Sequence, residues 1–201
     1  MTAPAPAAGA GPATVLADRL LPAFDFAEAH GLSGVKASPQ AAMQAIDAYD
    51  DRSDPLLHAA LQLRELPARI AHRLRIGGAG LAPSVPRFGL RNFTRLERTP
   101  DAVAFALTGR FWARDFGLVP CPDTAGFERF AAPGSARLLL CFGVHSLADG
   151  TVRIETVTRI QCTDAVARRR MLPYWLLIRP VSGWIRLRIL RRLKAGAEAL
   201  R

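Results

Sequence analysis

The sequence holds almost no lysine. Of its 27 basic side chains only Lys36 and Lys194 are lysines, and the rest are arginines. Cysteine is scarce too: Cys121, Cys141 and Cys162 stand without CxxC spacing, so neither a disulfide framework nor a structural zinc motif is encoded. Each has apolar or strand-like neighbours, and the expectation is three buried free thiols in a reducing cytoplasm. No segment reaches the roughly 18 consecutive apolar residues that a membrane-spanning helix needs. The longest run near the C-terminus, Leu172 to Ile178, has seven. "MTAPAPAAGAGPAT" lacks a basic n-region and an apolar h-region, so it reads as a disordered Ala/Pro/Gly leader over residues 1–20 rather than a secretory signal.

Chemical motifs are missing as well. His30, His58, His72 and His145 are scattered without metal-ligand spacing, so no metal site and no cofactor are expected. "IGGAG" lacks the Lys-Ser/Thr of a phosphate loop and follows no strand. There is no G-x-S-x-G elbow, paired-carboxylate motif or H-E-x-x-H. These absences exclude no enzyme, but they supply no positive case for one.

What is present is a globular balance, with half the residues hydrophobic and 22% charged. At 201 residues the simplest organisation is one domain, over residues 21–200. The net charge of +10 is uneven. Residues 164–201 carry ten basic and two acidic side chains, against 17 and 15 in the preceding 163 residues.

The order of elements is strand, helices, meander, helix. Apolar content places a strand over Phe24 to Ala37. Ser38-Pro39 caps a short helix through Tyr49, and Asp54-Pro55 opens a second helix that Pro67 divides and Gly77, Gly78 and Gly80 stop. Phe88 to Arg98 and Ala102 to Ala113 flank the turn "TPDA"; further strands are expected over Phe127 to Ala131, Ala136 to Leu147 and Thr151 to Thr163. Asp164 is placed to cap a last helix, which Arg179-Pro180 should end or bend sharply before Ser182 caps a further stretch to Leu200.

Projected at 100° per residue, that last segment has a core-facing stripe of Val166, Ala167, Met171, Tyr174, Leu177 and Ile178, with Arg170 as a polar intruder. Its second half gathers Ile185, Ile189, Leu190, Leu193, Ala197 and Leu200. The opposite side is basic yet carries Trp175, Trp184 and Leu187 among Arg188, Arg191 and Arg192. A solvated arginine face is the plain reading; contact with an anionic membrane surface through Trp175, Trp184, Arg188, Arg191 and Arg192 is the alternative. Nucleic acid has no winged-helix, zinc-finger or RNP-like pattern to support it.

The stretches "LLPAFDFAEAH", "VKASPQAAMQAI", "LRELPARI", "LTGRFW" and "TRIQCTDAVARRRMLPYWLLIRPVSGWIR" together resemble a bacterial branch of the START-like (SRPBCC) superfamily, which includes polyketide cyclases and plant pathogenesis-related allergens. The likeness runs from about Leu20 to Leu200; the last stretch is the most specific, while "ASPQAAMQAI" recurs widely in the superfamily. The resemblance implies an α+β helix-grip fold: a curved antiparallel sheet wrapped around a long C-terminal helix, with an apolar cavity between them. It also implies binding of a lipid, polyketide or similar apolar molecule, or a cyclase- or dehydratase-like activity. No universal catalytic residue comes with it. Where the branch's last strand has Thr-Glu-Thr-Arg, this chain has Thr156-Val157-Thr158-Arg159, so that acidic residue has no counterpart.

The expected cavity lining is Phe105, Leu107, Phe111, Leu140, Phe142, Ile154, Met171, Tyr174, Leu177 and Ile178, with Arg110, His145 and Arg170 as polar candidates. Which strand face points inward is open. Arg110, if buried, needs a carboxylate such as Glu128 or Glu155. His145, if it faces the cavity, could move a proton.

Overall fold

A computed structural model describes residues 10–49, 92–113 and 117–200. Its elements are α1 (Pro12–Leu20), β1 (Phe26–Val35), α2 (Pro39–Asp47), β2 (Thr94–Arg98), β3 (Ala102–Gly109), β4 (Leu118–Val119), α3 (Thr124–Arg129), β5 (Ala136–Ser146), β6 (Val152–Cys162) and α4 (Ala165–Ala199). The expected helix over 55–74, the glycines at 77–80 and residues 88–91 lie outside the described residues. The chain is an α+β protein. Six antiparallel strands run β1-β6-β5-β3-β2, with β4 pairing β3 beyond β2, and the long C-terminal helix packs on the sheet.

Local chemistry accounts for most boundaries. Ser38 accepts the Ala41 N–H at 3.1 Å, with Pro39 at the first helical position, and so starts α2. Asp164 accepts from Ala167 N at 2.7 Å and from Gly134 N at 2.6 Å, which starts α4 and ties it to the β5 side. In the "TPDA" turn, Thr99 Oγ1 donates to Asp101 and Thr99 N to Ala102 O.

The two faces of the sheet differ in side-chain size. One carries Val103, Phe105 and Leu107 of β3, Leu138, Leu140, Phe142 and Val144 of β5, and Ile154 and Ile160 of β6. Helices α2 and α4 cover it. The other carries Ala102, Ala104 and Ala106, Leu139, Cys141 and Val157, and α1 covers it. At Gly143 a Cβ would lie 2.5 Å from Ala13 N, so α1 reaches the sheet only because glycine stands there.

Four expectations change. The assigned leader is helical from Pro12, because Ala13, Leu16, Ala17 and Leu20 bury a stripe against the sheet. Phe127 to Ala131 is not a strand: Asp123 accepts the Gly126 N–H at 2.6 Å and starts α3, which the buried Phe127 anchors. Pro180 does not end the last helix, which runs unbroken for 35 residues through Pro173 and Pro180. Both prolines are exposed, so the carbonyls they leave without an intrahelical partner, those of Arg169 and Leu176, are on exposed residues where water serves. Finally, the buried stripe of α4 is turned toward Trp175, which is buried with its ring centroid 5.7 Å from that of Phe26, while Val166 and Leu177 are exposed.

The end of α4 is fixed at the β1–α2 corner, where both lysines meet. Lys194 Nζ donates to Gly34 O at 2.7 Å, and Lys36 N donates to Glu198 Oε1 at 2.9 Å. Gly34 has φ +71°, a conformation that favours glycine.

Two outcomes test these contacts. Gly143→Ala should lower unfolding free energy by about 1–3 kcal/mol by forcing α1 off the sheet, read by denaturant titration. The hydrogen bonds from Ala167 and Gly134 hold the Asp164 carboxyl below its usual range. Its contribution is therefore complete above the ordinary carboxylate value near ~3.9 and lost as pH falls through the lowered one. Asp164→Ala should melt below wild type at neutral pH, with the gap closing in acid.

Candidate functional site

The helix-covered face is not uniformly sealed. Two core clusters lie on it: one joins α2, the second half of α4 and the sheet, and the other joins Trp175 and Met171 to Phe26, Leu107, Phe111 and Ile160. Phe93 and Leu138 pack against both, and each is only partly buried. Phe105 is also partly exposed, although its strand neighbours Val103 and Leu107 on the same face are buried. Apolar side chains on inner strands beneath a helix are ordinarily covered.

The middle of α4 is only partly buried as well. Between Trp175 and Ile185 the helix has no buried residue. That stretch, residues 176–184, spans about 13 Å of helix axis. Ile178 and Val181 touch the two clusters from it but stay half-buried. Phe93, Phe105 and Leu138 thus floor a partly exposed apolar seam on this face, beside an α4 that packs chiefly on β1 and β6.

One end of this seam is polar. Alternation along β1 puts Glu28 and His30 on the same face as Phe26 and Leu32. Across the ladder Glu28 pairs with Thr158 and His30 with Thr156. Thr156 and Thr158 in turn face Phe142 and Leu140 on β5. Gly183 stands over the group: a Cβ there would be 3.4 Å from both Glu28 Oε1 and His30 Cε1. His30 Nε2 is 3.1 Å from Glu28 Oε1, within ion-pair distance, and makes no hydrogen bond. Glu28 Oε2, His30 Nε2 and Thr156 Oγ1 are buried with no hydrogen-bond partner. The Glu28 side chain is 9% exposed and Thr156 1%. A buried acceptor or hydroxyl left unpaired costs about 1–3 kcal/mol, so these three atoms are costly where they stand at the edge of the core.

The structure distributes the expected cavity residues unevenly. Phe105, Leu107, Phe111, Leu140, Phe142 and Ile154 lie on the helix-covered face, with Phe105 edge-on to Phe142 at 6.1 Å. Met171, Tyr174 and Ile178 meet it from α4. Leu177 does not, being 59% exposed. Arg110 and Arg170 are exposed, and Glu155, named as a partner for Arg110, instead accepts the buried Ala13 N–H at 3.0 Å. His145 alternates with Val144 and shares the face of Leu139, Cys141 and Gly143, toward α1 and away from the seam. Of the residues assigned to a membrane surface, Trp175 is buried, Trp184 and Arg191 are exposed, and Arg188 and Arg192 are half-buried.

The thiols contribute no nucleophile here. Cys121, Cys141 and Cys162 are free, and burial pushes Cys141 and Cys162 up to about 12. Burial, then Asp123, raises Cys121. Among the described residues no three His, Cys, Asp or Glu side chains gather as a metal site, and no helix is long and apolar enough to cross a membrane. A hollow of about 360 Å³ opens on the sheet edge where β2 and β4 meet β3, lined by Thr94, Leu107, Val119 and Cys121 among others.

No family model matches the chain, and no curated protein does. A solved structure of hypothetical protein jhp0584 from Helicobacter pylori aligns over 91% of this chain and 92% of its own, at 10% identity and a TM-score of 0.34.

The polar trio was missed because "EAH" has no motif spacing, although an i, i+2 pair of titratable residues between Phe26 and Leu32 on one strand face was visible. If the trio is held for a ligand and not for stability, Thr156→Val should raise unfolding free energy by up to about 1 kcal/mol, since it deletes an unpaired hydroxyl. A loss of stability in thermal unfolding would mean that the hydroxyl already has a structural task.

Proposed function

We propose that the protein binds a small amphiphile in the seam between the sheet and α4. The apolar body lies across Phe93, Phe105 and Leu138, and the polar head reaches Glu28 and Thr156. The observation that carries this is the Glu28–His30–Thr156 group, whose Glu28 Oε2, His30 Nε2 and Thr156 Oγ1 are buried without a hydrogen bond, at the end of an incompletely covered apolar floor. A carboxylate only accepts hydrogen bonds, so the preferred head is a donor, either an amine or a hydroxyl. Ligand sites combine apolar walls with a few converging polar groups in this way. The resemblance to START-like proteins, whose members hold lipids, polyketides and similar molecules under a C-terminal helix, supports the same reading. Free thiols fit work in a reducing compartment such as the cytoplasm.

A second reading rests on the 3.1 Å separation of His30 and Glu28. His30 would transfer a proton on a bound substrate while Glu28 orients the ring, giving a cyclase- or dehydratase-like enzyme. His30→Ala separates the two: a binder keeps its ligand, and an enzyme keeps binding but loses turnover.

Native mass spectrometry of the purified chain, followed by titration with a fluorescent long-chain amine, tests the binder. One-to-one binding is expected. Leu138→Trp fills the floor and should abolish it while the far-ultraviolet dichroism stays native. Glu28→Gln should weaken the amine about tenfold, a loss of about 1.4 kcal/mol, and affect a matching alcohol less. Undiminished binding to Leu138→Trp would remove the seam as the site.

A further inference from the structure

The outward side of α4 is as unusual as the seam beneath it. Leu172, Leu176, Leu177, Trp184 and Leu187 are between 40% and 62% exposed along this one helix. Leu172 to Leu187 covers about 22 Å of helix axis. Single exposed apolar residues need no account, but five within sixteen residues of one helix, on a little over a third of its circumference, mark a surface that meets something.

Charge identifies what it meets. From Ala165 to Ala197 the sequence has nine arginines and lysines and no acidic residue. Arg169, Arg170, Arg179 and Arg191 are exposed beside the leucines. Arg168 pairs with Asp25 at 3.3 Å, and Arg188 lies over the Trp184 ring at 5.8 Å from its centroid. The acids at the two ends of the helix are engaged, Asp164 with backbone N–H groups and Glu198 with Lys36 N and Lys194.

A second copy of this chain would bring two surfaces of the same sign together. A nucleic acid would satisfy the arginines but leave the leucines in water. A bilayer with anionic headgroups matches both, since guanidinium groups meet phosphate while leucine and tryptophan enter the boundary between headgroups and acyl chains.

We infer that the outer face of α4 docks on an anionic phospholipid surface, with the helix lying in the plane of the interface. This is independent of what the seam holds. The docking requires the helix to stay continuous through Pro173 and Pro180, because Leu172 and Leu176 precede the second proline and Trp184 and Leu187 follow it. Trp175, on the opposite side and buried, takes no part.

The test is sedimentation of the full chain with vesicles of phosphatidylcholine alone or mixed with phosphatidylglycerol. Binding is expected only to the mixture, and it should weaken as salt rises. Arg169→Gln and Arg191→Gln should each reduce it about fivefold, the fold-change that corresponds to about 1 kcal/mol per surface charge. Leu176→Ser with Leu187→Ser should reduce it at high salt as well as low. Arg129→Gln, on the exposed surface of α3, is the charge control and should change nothing. Brominated acyl chains should quench tryptophan emission, and Trp184→Phe should remove that quenching. Melting curves unchanged among these exposed variants keep folding out of the result. No sedimentation with the anionic mixture at low salt overturns the inference. So does equal loss in Arg129→Gln, or a dimer in light scattering that Leu176→Ser dissolves, which would assign the face to a second copy.

Discussion

Glu155 and Arg159 stand four residues apart on β6, about 13 Å along the strand, and α1, nine residues long, measures about 13.5 Å. That match lets one strand hold both ends of one helix. Glu155 takes the place of a cap at the α1 N-terminus, where Gly11 has no side chain to offer and the Ala13 N–H would otherwise be buried unpaired. Arg159 closes the other end by donating to the Leu21 carbonyl, pairing with Asp18 and lying over the Phe24 ring. Both charges are nearly buried, and each is tolerable only because the other elements complete its bonds. With α1 braced in this way, one face of the sheet is closed by α1 together with Phe127 of α3, over alanines, Leu139, Cys141 and Val157. The large side chains of the sheet are left to the opposite face.

How much of this was legible depended on the range of the interactions. Ser38, Asp164 and the Thr99–Ala102 turn act within four residues of themselves, so their elements were readable directly. The α1 helix was not, because its anchors lie more than 130 residues away and its composition continues the Ala/Pro/Gly-rich start. At Pro180 the local rule lost to tertiary packing: Trp175 on one side and Ile185 on the other are each pinned to the sheet, and a proline at an exposed position between them only removes a bond that water replaces. Strand alternation decided which residues share a face but not which face turns inward. That is why Phe105, Phe142 and Leu140 were grouped correctly among themselves while His145, one step out of phase, was grouped with them.

The same helix faces two media. Its inner side has no fully buried residue over the nine positions 176–184, where Gly183 stands over Glu28 and His30, and its outer side carries leucines in water among arginines. Neither arrangement follows from packing alone, since shortening the outer leucines and replacing the Glu28–His30–Thr156 group with aliphatic residues would both be compatible with a core of this shape. Departures from the cheapest solution that fall on opposite sides of one element tie the two sides together mechanically, because whatever moves α4 changes both.

That coupling has a weak point set by covalent structure. Pro173 and Pro180 lie two turns apart on the exposed side, and each deletes one rung of the helical ladder. An elastic rod thinned twice along one edge bends where it is thinned. Here the thinned length overlaps residues 176–184, which include no fully buried side chain, while tightly packed residues clamp the rod at either end. Flexing that middle length breaks fewer bonds and uncovers less apolar surface than flexing α4 anywhere else, so the compliance of the helix is concentrated over Glu28 and His30.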